Sequence, residues 1–195
     1  NFLDMFKRIK STIKSGLISK KGYSKDKSNN SWLPLFFKMQ EKRIKHYYSD
    51  NLFDLKTTKE IQNFGPEYIM PLSSPILPQK FLNLASKKAI NFHISLLPNF
   101  RGINALEWNL IYEKPIGVTL YEMDDGVDTG AIIDQRALDM EENKDINILK
   151  NKLLNLGTDM VCDFFIGKKN IKLTNIEKPY IANKQFYRMS EDLLN

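Results

Sequence analysis

The feature that most constrains this chain is an alternation of strand patterns with helical patterns from residue 67 onward. Strand patterns cover residues 67–73, 88–94, 117–123 and 131–138. Helical spacing of apolar residues covers residues 103–111 and 146–165. Strands that are separated by helical or turn segments favour crossover connections over simple hairpins. The order therefore predicts an α/β fold with a mostly parallel sheet flanked by helices.

The amino-terminal region has a different character. Apolar residues recur near helical spacing in residues 1–17, and a second helix is predicted at residues 33–48. Thr57 or Thr58 is predicted to cap a short helix that follows. The chain begins with Asn1 and shows no apolar opening strand. We therefore expect the sheet to lack its first strand, or that strand to have been left out of the chain.

Composition and charge narrow the class of protein. Hydrophobic residues make up 42% and charged residues 27%, which is typical of a globular protein, and no apolar run approaches the ~20 residues of a membrane span. The single cysteine, Cys162, cannot form an internal disulfide, so we expect a cytoplasmic location. The net charge of +6 is concentrated in residues 7–45. A solvated helix face is the favoured interpretation of this charge, ahead of attraction to a phosphorylated substrate or nucleic acid.

Two polar side chains lie two residues apart near the end of the strand predicted at residues 88–94. Asn91 and His93 therefore project from the same face of that strand. An amide beside an imidazole offers two hydrogen-bond donors to a developing oxyanion. A single histidine near a strand end nevertheless more often has a structural role. The other histidine, His46, lies in a Lys-rich stretch, so we expect no histidine-rich metal site.

A loop rich in Asp and Gly follows the strand predicted at residues 117–123. The spacing of Asp124, Asp125 and Asp128 does not match a calcium-binding loop. On residue type alone, the loop is a solvated connection between two strands.

Together these segments resemble the formyltransferase family, which includes glycinamide ribonucleotide, methionyl-tRNA and sugar N-formyltransferases. The shared motifs are Asn-x-His-x-Ser-Leu-Leu-Pro-x-x-Arg-Gly from Asn91 to Gly102, Gly-Val-Thr from Gly117 to Thr119, and Asp-x-Gly-x-Asp-Thr-Gly from Asp124 to Gly130. The likeness spans roughly residues 64–165. It implies a Rossmann-like catalytic domain over residues 1–165, incomplete or atypical at its start, with a tail over residues 166–195 that packs on the domain.

The resemblance also implies roles for individual residues and implies that no metal is required. The catalytic residues implied are Asn91, His93 and Asp128. The implied pocket for 10-formyltetrahydrofolate, the formyl donor, comprises Ser74, Pro75, Ile76, Leu77, Leu97, Met123, Asp124 and Asp125. The implied acceptor contacts are Phe92, Ile94 and Ser95. Ile94 stands where the family commonly has proline or a small residue, and this departure bears on the identity of the acceptor.

The implied reaction is transfer of a formyl group to a primary amine. A nucleotide-linked amino sugar is the expected acceptor, because methionyl-tRNA formyltransferases carry an additional carboxyl-terminal domain and only a short tail follows the long helix here. The alternatives are glycinamide ribonucleotide or methionyl-tRNA as acceptor, hydrolysis of formyltetrahydrofolate, and an inactive basic binding module. We expect no membrane or nucleic-acid partner. Analogy with related sugar enzymes leaves a homodimer open.

Overall fold

The computed structural model describes residues 15–19, 45–49, 51–72, 75–139, 145–167 and 185–189. The strands are β1 Ser15–Ser19, β2 Lys45–Ser49, β3 Tyr68–Ile69, β4 Lys88–His93, β5 Arg101–Gly102, β6 Gly117–Glu122, β7 Ile132–Ala137 and β8 Gln185–Phe186. The helices are α1 Leu55–Phe64, α2 Gln79–Leu82, α3 Ala105–Ile111 and α4 Ile146–Phe165. The predicted α/β class is confirmed. The predicted long helix and the strands at 88–94, 117–123 and 131–138 are confirmed to within one residue at each end.

The central sheet has four strands in the order β3-β4-β6-β7. Strand β3 runs parallel to β4, whereas β4 and β6 are antiparallel, as are β6 and β7. The expectation of a mostly parallel sheet is therefore corrected for this part of the fold, which is mixed. The connection from β6 to β7 accounts for the antiparallel pairing of these two strands, because so short a loop can only reverse the chain, whereas parallel neighbours need a longer crossover.

Two strands in the amino-terminal region correct the helices predicted there. Strand β1 occupies part of the region predicted as a helix over residues 1–17, and β2 occupies the end of the helix predicted over residues 33–48. The two strands pair in parallel, with Leu17 opposite Tyr47. Pairing between distant segments satisfies the backbone hydrogen bonds of both, and such tertiary pairing overrides weak local helical spacing. The rest of the Lys-rich stretch lies outside the described residues.

Helix α1 begins one turn earlier than its predicted cap. The Asp54 side chain accepts a hydrogen bond from the Thr57 backbone N–H at 2.6 Å, so Asp54, and not Thr57 or Thr58, is the N-cap. The helix ends at Gly65, whose φ of 62° is the left-handed conformation that favours glycine. The strand predicted after it at residues 67–73 is reduced to the two residues of β3.

Helix α4 covers the sheet and supplies most of one core. Leu149, Leu153 and Val161 are buried against Val118 and Leu120 of β6. This apolar face is the one expected from helical spacing, since residues three and four apart share a face. The core therefore holds β6, and with it the neighbouring end of β4, in a fixed position.

The described part of the tail contacts the same domain. Strand β8 pairs in parallel with β5, and Phe186 packs on the rings of Phe100 and Trp108 at centroid distances of 5.1 Å. The Trp108 indole N–H donates to the backbone oxygen of Tyr187 at 3.3 Å. Residues 185–189 thus lie against β5, which follows the Asn91–His93 segment in the chain.

Candidate active site

Strand β4 brings Asn91 and His93 to one face of the sheet at its carboxyl end. The antiparallel register places Asn91 opposite Tyr121 and His93 opposite Thr119. Side chains opposite each other on neighbouring strands share a face, so these four residues form one polar patch. The prediction that Asn91 and His93 project together is confirmed by their contacts, which converge on the loop that follows β6.

The His93 ring is held between two hydrogen-bond acceptors. Its Nε2 lies 2.8 Å from the backbone oxygen of Phe100, and its Nδ1 lies 3.4 Å from Asp128 Oδ2. A carbonyl and a carboxylate both accept hydrogen bonds, and both ring nitrogens carry hydrogen only in the imidazolium. The two contacts fix the orientation of the ring. About one tenth of each side chain is exposed, 11% for His93 and 13% for Asp128, so the pair is sheltered yet can be reached.

Asp128 is held by donors on both carboxylate oxygens. The Tyr121 hydroxyl donates to Oδ1 at 2.7 Å, and the Gly102 backbone N–H donates to Oδ2 at 2.8 Å. The residue has a φ of 53°, a left-handed conformation that Asp tolerates better than most side chains. The three contacts, to His93, Tyr121 and Gly102, fix the carboxylate at the centre of the polar patch.

Asn91 joins this arrangement through Tyr121. Its Oδ1 accepts from the Phe92 backbone N–H at 2.9 Å, which leaves Nδ2 facing the Tyr121 hydroxyl at 3.4 Å. The three residues implied to be catalytic are therefore brought together, although Asp128 comes from a different segment of the chain. Reasoning from the sequence missed Tyr121, the Phe100 carbonyl and the Gly102 N–H. The alternation of Thr119 and Tyr121 along β6 was the available signal for the first of these.

Thr119 fixes the turn that follows His93. Its hydroxyl donates to the Ser95 backbone oxygen at 2.7 Å and accepts from the Leu97 N–H at 2.9 Å and from Gln135 Nε2 at 3.0 Å. The residue is fully buried. This network explains the threonine of the Gly-Val-Thr motif as the residue that secures the turn between His93 and Phe100.

Replacing Thr119 with valine is expected to lower the free energy of unfolding by about 3 kcal/mol, because it leaves the buried Ser95 oxygen and Leu97 N–H unsatisfied. Denaturant titration followed by circular dichroism measures the change. Thr58→Val is the matched control, since the Thr58 hydroxyl donates only to the part-buried Asp54 oxygen, and its loss is expected to be about 1 kcal/mol or less. Equal, small losses in both variants would contradict the assignment.

The two loops implied for the folate pocket meet beside β4. Leu77 is buried in an apolar cluster that contains Ala89, and Met123 packs against the same cluster. The Met123 N–H donates to the Ala89 oxygen at 2.8 Å, and Ile76 is 71% exposed. Pro75 is also exposed, and Ser74 lies outside the described residues. Apolar surface is thus available at the edge of the polar patch.

The remaining residues implied for folate have other evident contacts. Asp124 Oδ1 accepts from the Gly126 N–H at 3.0 Å and from the Thr129 hydroxyl at 2.6 Å, so this carboxylate shapes its own loop. Asp125 is exposed. Leu97 is only 2% exposed, and its backbone oxygen accepts from Gln135 Nε2 at 2.7 Å.

The side chains implied to contact the acceptor do not join the polar patch. Phe92 and Ile94 pack against the core beneath α4, where a Cβ on Gly157 would lie 2.6 Å from the Phe92 ring. Alternation along β4 that brings Asn91 and His93 to one face sends these two to the other. Ser95 is fully buried, and its hydroxyl donates to the Asn99 oxygen at 2.9 Å. In this structure the three residues occupy packing and turn-forming positions, and their contact with an acceptor stays a prediction.

Within the described ranges, no helix is both long enough and apolar enough to cross a bilayer. The same ranges hold no cluster of three or more His, Cys, Asp or Glu side chains suited to a metal ion.

Known proteins are similar to this chain in sequence or in fold. A methionyl-tRNA formyltransferase of Caldanaerobacter subterraneus subsp. tengcongensis is 37% identical over 117 residues, 59% of this chain and 38% of that protein. The formyltransferase PseJ from Anoxybacillus kamchatkensis, solved with UDP-4,6-dideoxy-4-formamido-L-AltNAc and tetrahydrofolate, is 25% identical with a TM-score of 0.54, and 71% of each chain is covered. Phosphoribosylglycinamide formyltransferase from Streptococcus pneumoniae shares the fold alone, with 15% identity and a TM-score of 0.66, covering 84% of this chain and 91% of that one.

The matched part of the chain spans less than half the length of the curated relatives. The family model described as formyl transferase matches residues 12–164, which include β4, the Asp-rich loop and most of α4. The resemblance drawn from the motifs is thereby confirmed, and the chain belongs to the formyl transferase family.

Proposed function

We propose that this chain transfers a formyl group from 10-formyltetrahydrofolate to a primary amine, with Asn91, His93 and Asp128 at the reacting centre. The observation that carries the proposal is the convergence of these side chains. His93 Nδ1 lies 3.4 Å from Asp128 Oδ2, and Asn91 is linked to the same carboxylate through Tyr121. Membership of the formyl transferase family supports the same reaction.

The apolar surface next to this centre supports a place for the folate. Leu77 and Met123 come from two different loops and share one apolar cluster, and Ile76 exposes its aliphatic side chain beside it. Ligand sites are commonly apolar surfaces with a few convergent polar groups, which matches this neighbourhood. Pro75, Leu97, Asp124 and Asp125 belong to the same two loops or to the turn beneath them and stay in the proposal as folate neighbours, as does Ser74.

In the proposed reaction, the three residues stabilise the charge on the formyl oxygen and transfer one proton. As the amine nitrogen bonds to the formyl carbon, the carbonyl electron pair moves to the formyl oxygen. Asn91 would donate a hydrogen bond to that oxygen, and so would His93 Nε2 once it exchanges its contact with the Phe100 oxygen for the substrate. Each such donor is worth roughly 3–4 kcal/mol. Asp128 would take the proton of the amine, directly or through water. The bond from the formyl carbon to the folate nitrogen then breaks, and that nitrogen gains a proton.

The proposed acceptor is the amine of a nucleotide-linked amino sugar. The support is the Anoxybacillus formyltransferase, whose structure holds a formamido sugar nucleotide together with tetrahydrofolate. Methionyl-tRNA is the second candidate, because the higher sequence identity, 37%, is to a methionyl-tRNA formyltransferase. Both candidates require the same three residues at the reacting centre.

The proposed organisation follows from the same fold. A catalytic domain over residues 1–165 with a tail over residues 166–195 packed on it is supported by the pairing of β8 with β5. The lone cysteine, Cys162, is buried, which supports a reducing, cytoplasmic setting. A homodimer stays part of the proposal by analogy only.

The experiment is a panel of acceptors incubated with the purified chain and 10-formyltetrahydrofolate. The panel contains nucleotide-linked amino sugars, glycinamide ribonucleotide and methionyl-tRNA, and mass spectrometry detects the gain of one formyl group. We expect formylation of an amino sugar. Release of tetrahydrofolate with no formylated product would identify a hydrolase instead, and folate binding without turnover of any kind would overturn the enzymatic proposal.

A further inference from the structure

Tyr121 lies at an irregular point of the sheet, directly beside the proposed reacting centre. It stands opposite Asn91 in β4, and the pairing of β6 with β7 shifts register between Leu120 and Tyr121. Its side chain is 3% exposed. Bulges redirect side chains locally, and here the hydroxyl is directed at the Asp-rich loop and away from solvent.

The Tyr121 hydroxyl uses both of its hydrogen-bonding functions within the site. It donates to Asp128 Oδ1 at 2.7 Å and faces the donor Nδ2 of Asn91 at 3.4 Å. A phenol has one donor hydrogen and can accept as well, so a single hydroxyl connects an amide to a carboxylate. Burial, followed by the charge of Asp128, raises the pKa of Tyr121 far above its ordinary value, which keeps the hydroxyl protonated as a donor.

The backbone conformation of Asp128 makes its hydrogen bond with the Tyr121 hydroxyl important for the orientation of the carboxylate. The residue adopts a left-handed φ of 53° and lies between Gly126 and Gly130 in the loop from β6 to β7. Only two donors reach the carboxylate besides His93 among the described contacts, namely Gly102 N–H and the Tyr121 hydroxyl. The Gly102 contact and His93 share Oδ2, so Tyr121 is the donor that holds Oδ1 and thereby sets the rotation of the carboxylate.

We propose that Tyr121 is a positioning residue that orients the Asp128 carboxylate toward His93 and ties it to the Asn91 amide. The expected effect on kcat rests on the proposed formyl transfer, whereas the contacts of Tyr121 do not depend on it. Tyr121 acts through Asp128 and Asn91 and need not touch the substrate.

The test compares Tyr121→Phe with the unmodified chain, because this variant removes the hydroxyl and keeps the ring. Loss of a hydrogen bond to a charged group is expected to lower kcat by about 10- to 100-fold, with little change in the KM for 10-formyltetrahydrofolate. In an Asp128→Asn background the same substitution is expected to cause no further loss, because the two residues act as one unit. Tyr68→Phe is the matched control, since Tyr68 packs on Phe164 and Phe165, away from the site.

A second measurement does not depend on turnover. The chain has two histidines, so nuclear magnetic resonance signals of the His93 ring can be assigned against a His46→Asn variant. Tyr121→Phe is expected to shift the His93 ring signals, and Tyr68→Phe is expected to leave them in place. Unshifted His93 signals would overturn the positioning role, even if no acceptor is found. If an acceptor is found, losses of kcat that add up in the double variant with Asp128→Asn would also overturn it. Absence of turnover by the unmodified chain would count only against the proposed function.

Discussion

Replacing His93 with alanine is expected to lower kcat by about 10³-fold, because the variant loses a donor aimed at the developing oxyanion. The ring makes its contacts through both nitrogens, to the Phe100 oxygen at 2.8 Å and to Asp128 at 3.4 Å. Its loss also removes the imidazole that contacts the Asp128 carboxylate. Steady-state kinetics with the acceptor that gives product in the panel measures the effect.

Binding of folate separates this catalytic role from a structural one. Since the apolar surface of Ile76, Leu77 and Met123 is unchanged in His93→Ala, its affinity for tetrahydrofolate is expected to stay within about threefold of the original, measured by calorimetric titration. His46→Ala is the control histidine, because His46 lies on β2 and not in the four-stranded sheet. Turnover of His93→Ala close to that of the unmodified chain would exclude the proposed role.

Replacing Asp128 with asparagine is expected to lower kcat by about 10²–10⁴-fold, the range for loss of an acid–base group. Both carboxylate oxygens accept hydrogen bonds, from Tyr121 and from Gly102. An amide NH₂ on either side therefore faces a donor, and the neutral group can neither accept the proton of the amine nor offer a negative charge to the His93 ring. The change is measured in the same kinetic assay.

The control for Asp128→Asn is Asp159→Asn, on the exposed side of α4. It makes the same change of charge and size outside the site, and its kcat is expected to match that of the unmodified chain. A modest loss shared equally by both variants would point to net charge as the cause and would contradict the assignment of Asp128.

The sequence was enough to predict that Asn91 and His93 lie on one face of β4, because side chains alternate between the two faces of any strand. The structure places the intervening Phe92 and the following Ile94 against the core beneath α4. Their contact with an acceptor was implied by motif position and stays a prediction. The burial of Ser95 could not be predicted from local pattern, since it depends on Asn99 and Asn109 closing around its hydroxyl.

Local pattern determined the strands and the long helix, the shared face of Asn91 and His93, and the loop character of the Asp-rich segment, because spacing of two or 3.6 residues depends on near neighbours only. The tertiary structure decided which distant segments meet. It paired β1 with β2 where helices were predicted, set β6 antiparallel to β4, and so placed Tyr121 opposite Asn91 and within reach of Asp128. The physical reason is that a strand's backbone hydrogen bonds are completed only by a partner elsewhere in the chain, and local spacing carries no information about that partner.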